Sequence, residues 1–354
     1  MKTLSINKTF FFLITIAFLI SCKSPERVQS ENNSNYDLTT ETELRDSVHI
    51  QKIANFYEIA KSGFFEGKAN IDIHYRVYEQ PTAEKAILIS SGRTEAAIKY
   101  KELIYDLYQN GYDVYIHDHR GQGLSGRMTT NPDMGYIDDF QYYIDDMKQF
   151  YDLFIAPKNY DNTFLLAHSM GGAIGMTYIE QHQKDFDAAS FSSPMLGLKP
   201  PICSISKKMD NGQPKFAMGE SVYNENKINF KGNVLTGSAI RFDRMVHAFT
   251  IEPKARLGGV TYTWLNKSCQ QFDYLNKHID QIQIPFIIFS AKNEQIVSTK
   301  AHQKFITSAE ELNKNCELYT IDNAQHELLI EKDEQRQQTL QITLDFYLKT
   351  TEMI

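Results

Sequence analysis

Short, mostly apolar segments alternate with segments of helical spacing through most of this chain, and this alternation strongly limits the folds open to it. Strands that are buried on both faces have this continuous apolar character. Alternating buried strands and helices predict a mostly parallel central sheet with helices on both faces, which is an α/β fold. The apolar segments lie at residues 86–90, 112–116, 163–167, 188–192 and 285–290.

The alternation stops between about residue 195 and residue 276. Polar turns and scattered apolar residues replace it there, and a strand-like segment resumes only at Pro285. We interpret this stretch as a cap inserted over the carboxyl edge of the sheet, within one domain that spans residues 41–354. A second, independently folded domain is the alternative, because about 80 residues could form a small core of their own.

The segment at residues 163–167 leads directly into Ala167-His168-Ser169-Met170-Gly171-Gly172, and helical spacing follows. This context is typical of a nucleophile elbow, a tight turn that raises a serine above the sheet at a helix N-terminus. Small residues are needed two positions before and after the serine, where strand and helix approach closely. Ala167 replaces the first glycine of G-x-S-x-G but keeps this steric requirement. Ser169 is the predicted nucleophile, and an ordinary helix N-cap is the alternative.

A serine hydroxyl needs a base, and the base needs a group that orients it. In this fold the chain order is serine, acid, histidine. Glu294 follows the strand-like segment 285–290, and His326 follows another at residues 317–321. We therefore predict His326 as the base and Glu294 as the orienting acid, with Asp322 as a competitor for the second role.

Acyl transfer also needs two backbone N–H groups that stabilise the oxyanion. One is expected from Met170, directly after the nucleophile. The other is expected from Arg93, in the loop that follows the strand-like segment 86–90. This chemistry requires neither a metal nor an organic cofactor, and we predict none.

Two other motifs suggest different chemistry. Residues 121–126 match G-x-G-x-x-G, but Pro132 follows without helical spacing, so the helix N-terminus of a dinucleotide site is missing. His117 and His119 could indicate a metal, but no third ligand is evident. Structural roles in this turn are the preferred interpretation.

The N-terminus has the pattern of an export signal: two lysines, an apolar run at residues 10–20, and a small residue before Cys22. Residues 19–22 resemble the bacterial lipobox, which implies cleavage after residue 21 and lipidation of Cys22. We therefore expect a signal peptide at residues 1–21, a polar tether at residues 22–40, and a mature protein attached to a membrane surface of the bacterial cell envelope. An ordinary secretory signal with a chance cysteine is the alternative.

The net charge of the chain is -7. Cleavage would remove two lysines and no acids, which makes the balance still more negative and gives no electrostatic basis for nucleic-acid binding. Three cysteines would remain in an oxidising compartment. Whether Cys203 and Cys269 form a disulfide stays open.

Several motifs resemble bacterial lysophospholipases of the L-two type, with monoacylglycerol lipases as wider relatives. The resemblance covers about residues 63–348, cap included. It rests on Gly92-Arg93 with Glu95, Lys99-Tyr100, Tyr105-Asp106-Leu107, Gly111 to Val114, Asp118 to Gly123 with Ser125 to Arg127, Ala167 to Gly172, Pro194-Met195, Gly258 to Tyr262 with Trp264, and His326-Glu327 with Glu331 to Asp333. It implies an α/β-hydrolase that cleaves the ester of a lysophospholipid or monoacylglycerol, with Ser169, Glu294 and His326 at the triad positions.

In this interpretation the substrate is a single-chain lipid ester, and the cap determines which one is accepted. Apolar cap residues could line an acyl groove or simply pack the cap onto the sheet: Phe216, Val222, Tyr223, Phe230, Ile240, Phe242, Met245 and Phe249. A general carboxylesterase and an aminopeptidase-like hydrolase are alternatives within the fold. A non-catalytic surface lipoprotein that keeps the same fold for binding is an alternative of another class.

Overall fold

The computed structural model describes residues 35–352. The predicted signal peptide and Cys22 lie outside this range. Within it, Leu38 and Thr39 are buried, and Thr39 hydrogen-bonds Asp106 through its backbone N–H and its hydroxyl. The folded domain thus begins a few residues before the boundary predicted at residue 40, because these residues gain apolar and polar partners on the domain.

One eight-stranded sheet organises the molecule, with strand order β1-β2-β4-β3-β5-β6-β7-β8. The pairs β1/β2 and β2/β4 are antiparallel, and the remaining pairs are parallel. The predicted, mostly parallel sheet is confirmed. The strands are β1 Lys61–Glu66, β2 Asp72–Tyr78, β3 Lys85–Ser90, β4 Tyr112–His117, β5 Asn162–His168, β6 Ala188–Ser192, β7 Phe286–Ala291 and β8 Cys316–Ile321.

Helices cover both faces of this sheet. They are α1 Ser47–Glu58, α2 Lys101–Gln109, α3 Gln141–Phe150, α4 Met170–Gln181, α5 Ile202–Met209, α6 Ala239–Ile251, α7 Tyr262–His278, α8 Thr299–Glu311 and α9 Asp333–Glu352. Helices α3, α4, α7 and α8 contribute to the core on one face. Helices α1, α2 and α9 contribute to the core on the other.

The central strand β3 shows why a continuous apolar sequence forms a strand here. Its side chains point alternately to the two faces, so Ala86 and Leu88 pack in one core while Ile87 and Ile89 pack in the other. All four residues are almost fully buried. A strand with a core on each side therefore has no polar face.

The edge strand β1 was not predicted. Gly63 lies within β1 and pairs with Tyr75 of β2. Four of the six β1 residues are exposed, so the local sequence has little apolar pattern. Pairing with β2, rather than local preference, forms this strand.

The segment between β6 and β7 contains α5, α6 and α7. A disulfide between Cys203 and Cys269 joins α5 to α7. Helix α7 also packs on α4, where Gln271 donates a hydrogen bond to the hydroxyl of Thr177, and Phe272 and Leu275 belong to the main core. In the described range, no helix is both long and apolar enough to cross a membrane.

Candidate active site

Ser169 lies between β5 and α4, on a turn with strained backbone geometry. Its φ of 51° and ψ of -116° are rare for a residue with a side chain. The backbone N–H of Ser169 donates to the carbonyl oxygen of Ser192, and its own carbonyl accepts from Met195. Bonds to β6 and to the loop after it thus hold the serine in this conformation, as expected where strain serves a site.

Close packing around the turn explains its small residues. A Cβ at Gly171 would lie 2.2 Å from the carbonyl oxygen of Ser90, so no side chain is tolerated there. A Cβ at Gly175 would lie 3.4 Å from that of Ala167. The methyl group of Ala167 is thus compatible with this part of α4, whereas a Cβ at Gly175 would lie 2.9 Å from the side chain of Leu165.

The structure brings Ser169, His326 and Glu294 together. Nε2 of His326 lies 2.9 Å from Oγ of Ser169, and Nδ1 lies 2.7 Å from Oε2 of Glu294. If Nδ1 carries the hydrogen and donates to the carboxylate, Nε2 is free to accept the serine proton. This is the geometry that a serine, its base and its orienting acid require.

Glu294 is held as an ionised acceptor. Its Oε1 accepts the backbone N–H groups of Ile296 and Val297. Burial alone would raise its pKa, but the hydrogen bond and charge of His326, together with these N–H groups, outweigh burial and lower the pKa to about 2. The competing Asp322 is exposed to solvent. The carboxylate that contacts the imidazole of His326 is that of Glu294.

The two predicted oxyanion donors lie on different elements, one at the start of α4 and one in the loop after β3. Met170 is the first residue of α4, where a backbone N–H has no acceptor within the helix. Arg93 lies in a loop that the side-chain amide of Gln122 supports, because this amide donates to the carbonyl oxygens of Gly92 (2.7 Å) and Glu95 (2.9 Å). The Gln122 side chain therefore holds the loop on both sides of Arg93, the residue expected to supply the second donor.

A buried charged network lies beside this loop, and the sequence did not reveal it. The carboxylate of Glu95 accepts from the backbone N–H of Gly92 and from Nζ of Lys99, at 2.5 Å. Lys99 also donates to Glu327, the residue after His326. Burial opposes ionisation of Glu95, but the ammonium group outweighs it and the pKa falls to about 2. Lys99 thus connects the loop that contains Arg93, called the oxyanion loop, to the loop that contains His326, called the histidine loop.

His168 completes this network. Its ring lies 4.9 Å from that of His326, and burial lowers its pKa to about 4 although Glu95 opposes the shift. His168 is therefore neutral at pH 7. Glu95, His168 and Glu327 are close enough to one another to hold a metal ion, but the ammonium group of Lys99 already supplies the positive charge between the two carboxylates.

The G-x-G-x-x-G loop supports this architecture. Besides the bonds of Gln122, the carboxylate of Asp118 accepts the backbone N–H groups of Ala97 and Leu124 and contacts Nδ1 of His74. These bonds tie the loop after β4 to β2 and to the segment that follows the oxyanion loop. Its glycines serve close packing, since a Cβ at Gly123 would lie 2.3 Å from the carboxylate of Asp118.

A cavity of about 360 Å³ lies between the cap and the loops just described, within the size range of small-molecule pockets. Thr94 and Glu327 form part of its wall. Five of the proposed acyl-groove residues line it: Val222, Tyr223, Phe242, Met245 and Phe249. The other three do not: Phe216 pairs with Thr261, Phe230 packs on Phe242, and Ile240 packs under α1.

The sheet, the helices on both faces and the insertion after β6 define an α/β-hydrolase fold. Residues 81–333 match a family described as "Serine aminopeptidase, S33". The chain is similar to the lysophospholipase L2 of Escherichia coli K12, with 30% identity over 83% of this chain and 89% of the relative. A probable lysophospholipase L2 from Haemophilus influenzae is 34% identical over 82% of this chain and 93% of the relative.

Among solved structures, a soluble variant of the monoglyceride lipase from Saccharomyces cerevisiae superposes with a TM-score of 0.64 at 18% identity, over 82% of this chain and 96% of the other. The monoacylglycerol lipase of Paleococcus ferrophilus has a TM-score of 0.61 at 15% identity, over 79% and 99%. These likenesses concern the fold. The family match and the sequence relatives place the chain in the bacterial lysophospholipase and monoacylglycerol lipase family, and it is a carboxylic ester hydrolase.

Proposed function

We propose that this enzyme hydrolyses the acyl ester of a single-chain lipid, a lysophospholipid or a monoacylglycerol, through Ser169, His326 and Glu294. The observation that carries the proposal is the pair of contacts that His326 makes, one to the serine hydroxyl and one to the carboxylate. The apolar cavity beside the histidine and oxyanion loops supports a substrate with one acyl chain.

Ser169, His326 and Glu294 each have a separate role in the proposed reaction. Oγ of Ser169 attacks the ester carbonyl carbon while Nε2 of His326 takes its proton, and the oxyanion accepts from the N–H groups of Arg93 and Met170. When the intermediate collapses, His326 returns the proton to the leaving alcohol and an acyl-serine remains. Water, activated by the same imidazole, then releases the fatty acid and restores the serine. Glu294 stabilises the imidazolium in both steps.

The cations at the cavity favour a lysophospholipid. Lys227 is exposed at the cavity wall, and Arg256 also lines it. Three carboxylates also lie in this wall: Glu95 and Glu327 share the ammonium group of Lys99, and Glu220 accepts the backbone N–H of Val260. A phosphate group on the substrate would have the exposed ammonium group of Lys227 as a partner.

We also propose that the enzyme is a lipoprotein of the bacterial cell envelope, attached to a membrane through lipidated Cys22. The support is the sequence pattern at residues 1–22. Metabolic labelling with an alkyne fatty acid should mark the wild type and not Cys22→Ser. Equal labelling of the two proteins would contradict the anchor.

A fluorophosphonate probe tests the nucleophile. We expect labelling of the wild type and none of Ser169→Ala. Ser193→Ala is the matched control, because Ser193 is a buried serine near the site whose hydroxyl has no hydrogen-bond partner in residues 35–352, and it should label normally. Labelling of Ser169→Ala at the wild-type level would end the proposal.

Substrate choice needs a panel of a long-chain lysophospholipid, a monoacylglycerol, a short-chain ester and an amino-acid amide. We expect the highest kcat/KM for the lysophospholipid. Preference for the amide would favour the aminopeptidase alternative, to which the family description points. Preference for the short-chain ester would favour a general carboxylesterase.

A further inference from the structure

A second opening, here called the α6 cleft, lies behind the cavity of the active site. Its volume is about 130 Å³, and residues of α1, α6 and the start of α2 line it. Lys99 and Met245 border both spaces. The proposed reaction makes no use of this cleft.

Helix α6 separates the cleft from the cavity. Phe242, Val246 and Phe249 line the cavity, whereas Arg244 and Ala248 line the cleft. Helical spacing places these two sets of side chains on opposite faces of α6. A molecule bound in the cleft would therefore contact the helix whose other face meets the substrate.

Two half-buried cations line the cleft, Lys101 of α2 and Arg244 of α6. Neither side chain has an ion-pair or hydrogen-bond partner within residues 35–352. The ammonium group of Lys101 lies 4.4 Å from the ring centre of Tyr57. The guanidinium of Arg244 carries five N–H donors, and polar groups withdrawn from water without a partner are costly. An anion in the cleft would supply what both cations lack.

The neighbouring carboxylates are already engaged or exposed. Glu102 also lines the cleft, but it accepts from Arg241 and lies 3.4 Å from Arg336. Glu58 is exposed and lies 3.9 Å from Arg76. The positive charge in the cleft is therefore not compensated by the carboxylates around it.

The two cations also act on each other. Burial lowers the pKa of Lys101, and the charges of Arg76 and Arg244 lower it further although the charge of Glu58 opposes them. Burial lowers the pKa of Arg244 as well. A negative charge between Lys101 and Arg244 would oppose these shifts, because it favours the charged form of both groups.

The rest of the wall is mostly apolar. It includes Ile50, Ala54, Ile98, Ala248, Leu329 and Ile330. A small hydrated anion gains nothing from such a surface, whereas an acyl chain is removed from water by it. The volume is close to that of a cavity that admits benzene, so about six carbon atoms fit inside. The exposed residues His247 and Ile251 also line the cleft, and a longer chain could extend past them to solvent.

We propose that the α6 cleft is a second binding site, which takes an organic carboxylate with an acyl chain between Lys101 and Arg244. A carboxylate matches the planar guanidinium of Arg244 in two parallel hydrogen bonds, and the acyl chain contacts the apolar wall. The fatty acid released in the proposed reaction belongs to this class of ligand. Its identity as the natural occupant rests on the proposed function, whereas the site itself rests on the cleft and its cations.

The test is equilibrium dialysis of radiolabelled octanoate against the full chain, with Cys22→Ser in every protein so that the proposed acyl anchor is absent. The site variant carries Lys101→Met and Arg244→Met, which keep apolar stems and remove both charges. Neither residue lines the cavity of the active site. The matched control carries Lys304→Met and Lys349→Met, which change two exposed lysines on α8 and α9 and alter the net charge by the same amount.

Octanoate could also enter the cavity of the active site, so the informative quantity is the difference between proteins that share this cavity. We expect the parent protein and the control to bind one more equivalent of octanoate than the site variant. Affinity at the cleft should fall at least about a hundredfold in the site variant, because two charge-assisted contacts are lost. Octanamide, which has a chain of the same length and no charge, should bind equally to all three proteins.

A second variant tests the apolar wall and keeps both cations. Ala54→Phe places a ring in the cleft from α1 and should weaken octanoate binding at least about tenfold, because the acyl chain loses its buried position. Circular dichroism of each variant should match that of the parent protein, since no ion pair of Lys101 or Arg244 is removed.

Equal numbers of bound octanoate in the site variant and the control would overturn the second site. Displacement of octanoate from the cleft by inorganic phosphate at the same concentration would overturn the choice of an acyl carboxylate, because phosphate has no chain. Failure of the proposed function has a different signature, since binding is measured without hydrolysis. In that case no lysophospholipid or monoacylglycerol would be hydrolysed, while octanoate would still distinguish the parent protein from the site variant.

Discussion

Glu180 is a buried carboxyl group on α4, the helix that begins directly after Ser169. It is 3% exposed, and neither carboxylate oxygen has a hydrogen-bond partner in residues 35–352. Burial, with a smaller contribution from the charge of Asp280, raises its pKa from 4.5 to about 9. Glu180 is therefore protonated and uncharged in the folded protein at pH 7.

This shift makes the folded state less stable as the pH rises. The unfolded chain releases the Glu180 proton near pH 4.5, whereas the folded chain retains it up to about pH 9. The free energy of unfolding should fall by about 1.4 kcal/mol per pH unit across this window. At pH 7 the loss is roughly 3 kcal/mol relative to its value below the window.

Glu180→Gln keeps the shape of the side chain and cannot ionise. We expect the variant to exceed the wild type in free energy of unfolding by roughly 3 kcal/mol at pH 7, and by less than about 1 kcal/mol at pH 5. Urea denaturation at pH 5, 7 and 8.5 measures this difference, and other titrating groups cancel in it. The single, buried Trp264 provides a fluorescence signal.

The control is Glu311→Gln, which changes an exposed glutamate at the end of α8. It should alter the free energy of unfolding by less than about 0.5 kcal/mol at each pH. A gap between Glu180→Gln and the wild type that is the same at pH 5 and pH 8.5 would refute the reasoning, because only a proton bound differently by the two states can make it grow.

Three further predictions concern the site and the cap. Glu294→Gln removes the charge opposite the proposed base and should lower kcat by about 10³ to 10⁴ with little change in KM; a loss below about tenfold would contradict the role of this residue. Gln122→Glu sets a carboxylate against two carbonyl oxygens and should lower kcat at least about tenfold, whereas Gln80→Glu, which disturbs a similar pair of bonds at the opposite end of the sheet, should not; equal kcat values would remove Gln122 from the support of the oxyanion loop. Replacing Cys203 and Cys269 by serine opens a cross-link with a separation of 66 residues and should lower the free energy of unfolding by about 3–4 kcal/mol in urea; unchanged stability would show that the cross-link does not stabilise the fold.

The parallel part of the sheet could be predicted from the sequence because burial on both faces requires a continuous apolar segment. The segment 86–90 lies within β3, and 163–167 lies within β5. Strand β1 and the helices of the cap have a weaker apolar pattern. Strand β1 is largely exposed and depends on its partner, and α6 mixes buried with exposed residues, so its apolar pattern is scattered.

The site shows the same division. Ser169, Glu294 and His326 each follow a strand, and chain order in this fold is enough to bring them together as a prediction. Glu95 and Lys99 are part of the family resemblance, but nothing in their local sequence indicates a role. The contact between Lys99 and Glu327 joins residues 228 positions apart, and pairs of this separation have no signature in a single sequence.

This distant contact determines how the two halves of the site are aligned. Glu95 belongs to the loop of one predicted oxyanion donor, and Glu327 follows the proposed base, so an ammonium group bound to both fixes the distance between these two loops. Without Lys99, two carboxylates would remain buried without a cation, a cost of about 3–5 kcal/mol when one partner of a buried pair is removed. The same three residues line the cavity. The cavity wall, the predicted oxyanion donor and the proposed base are therefore coupled through one side chain, and a substitution at Lys99 would disturb all three together.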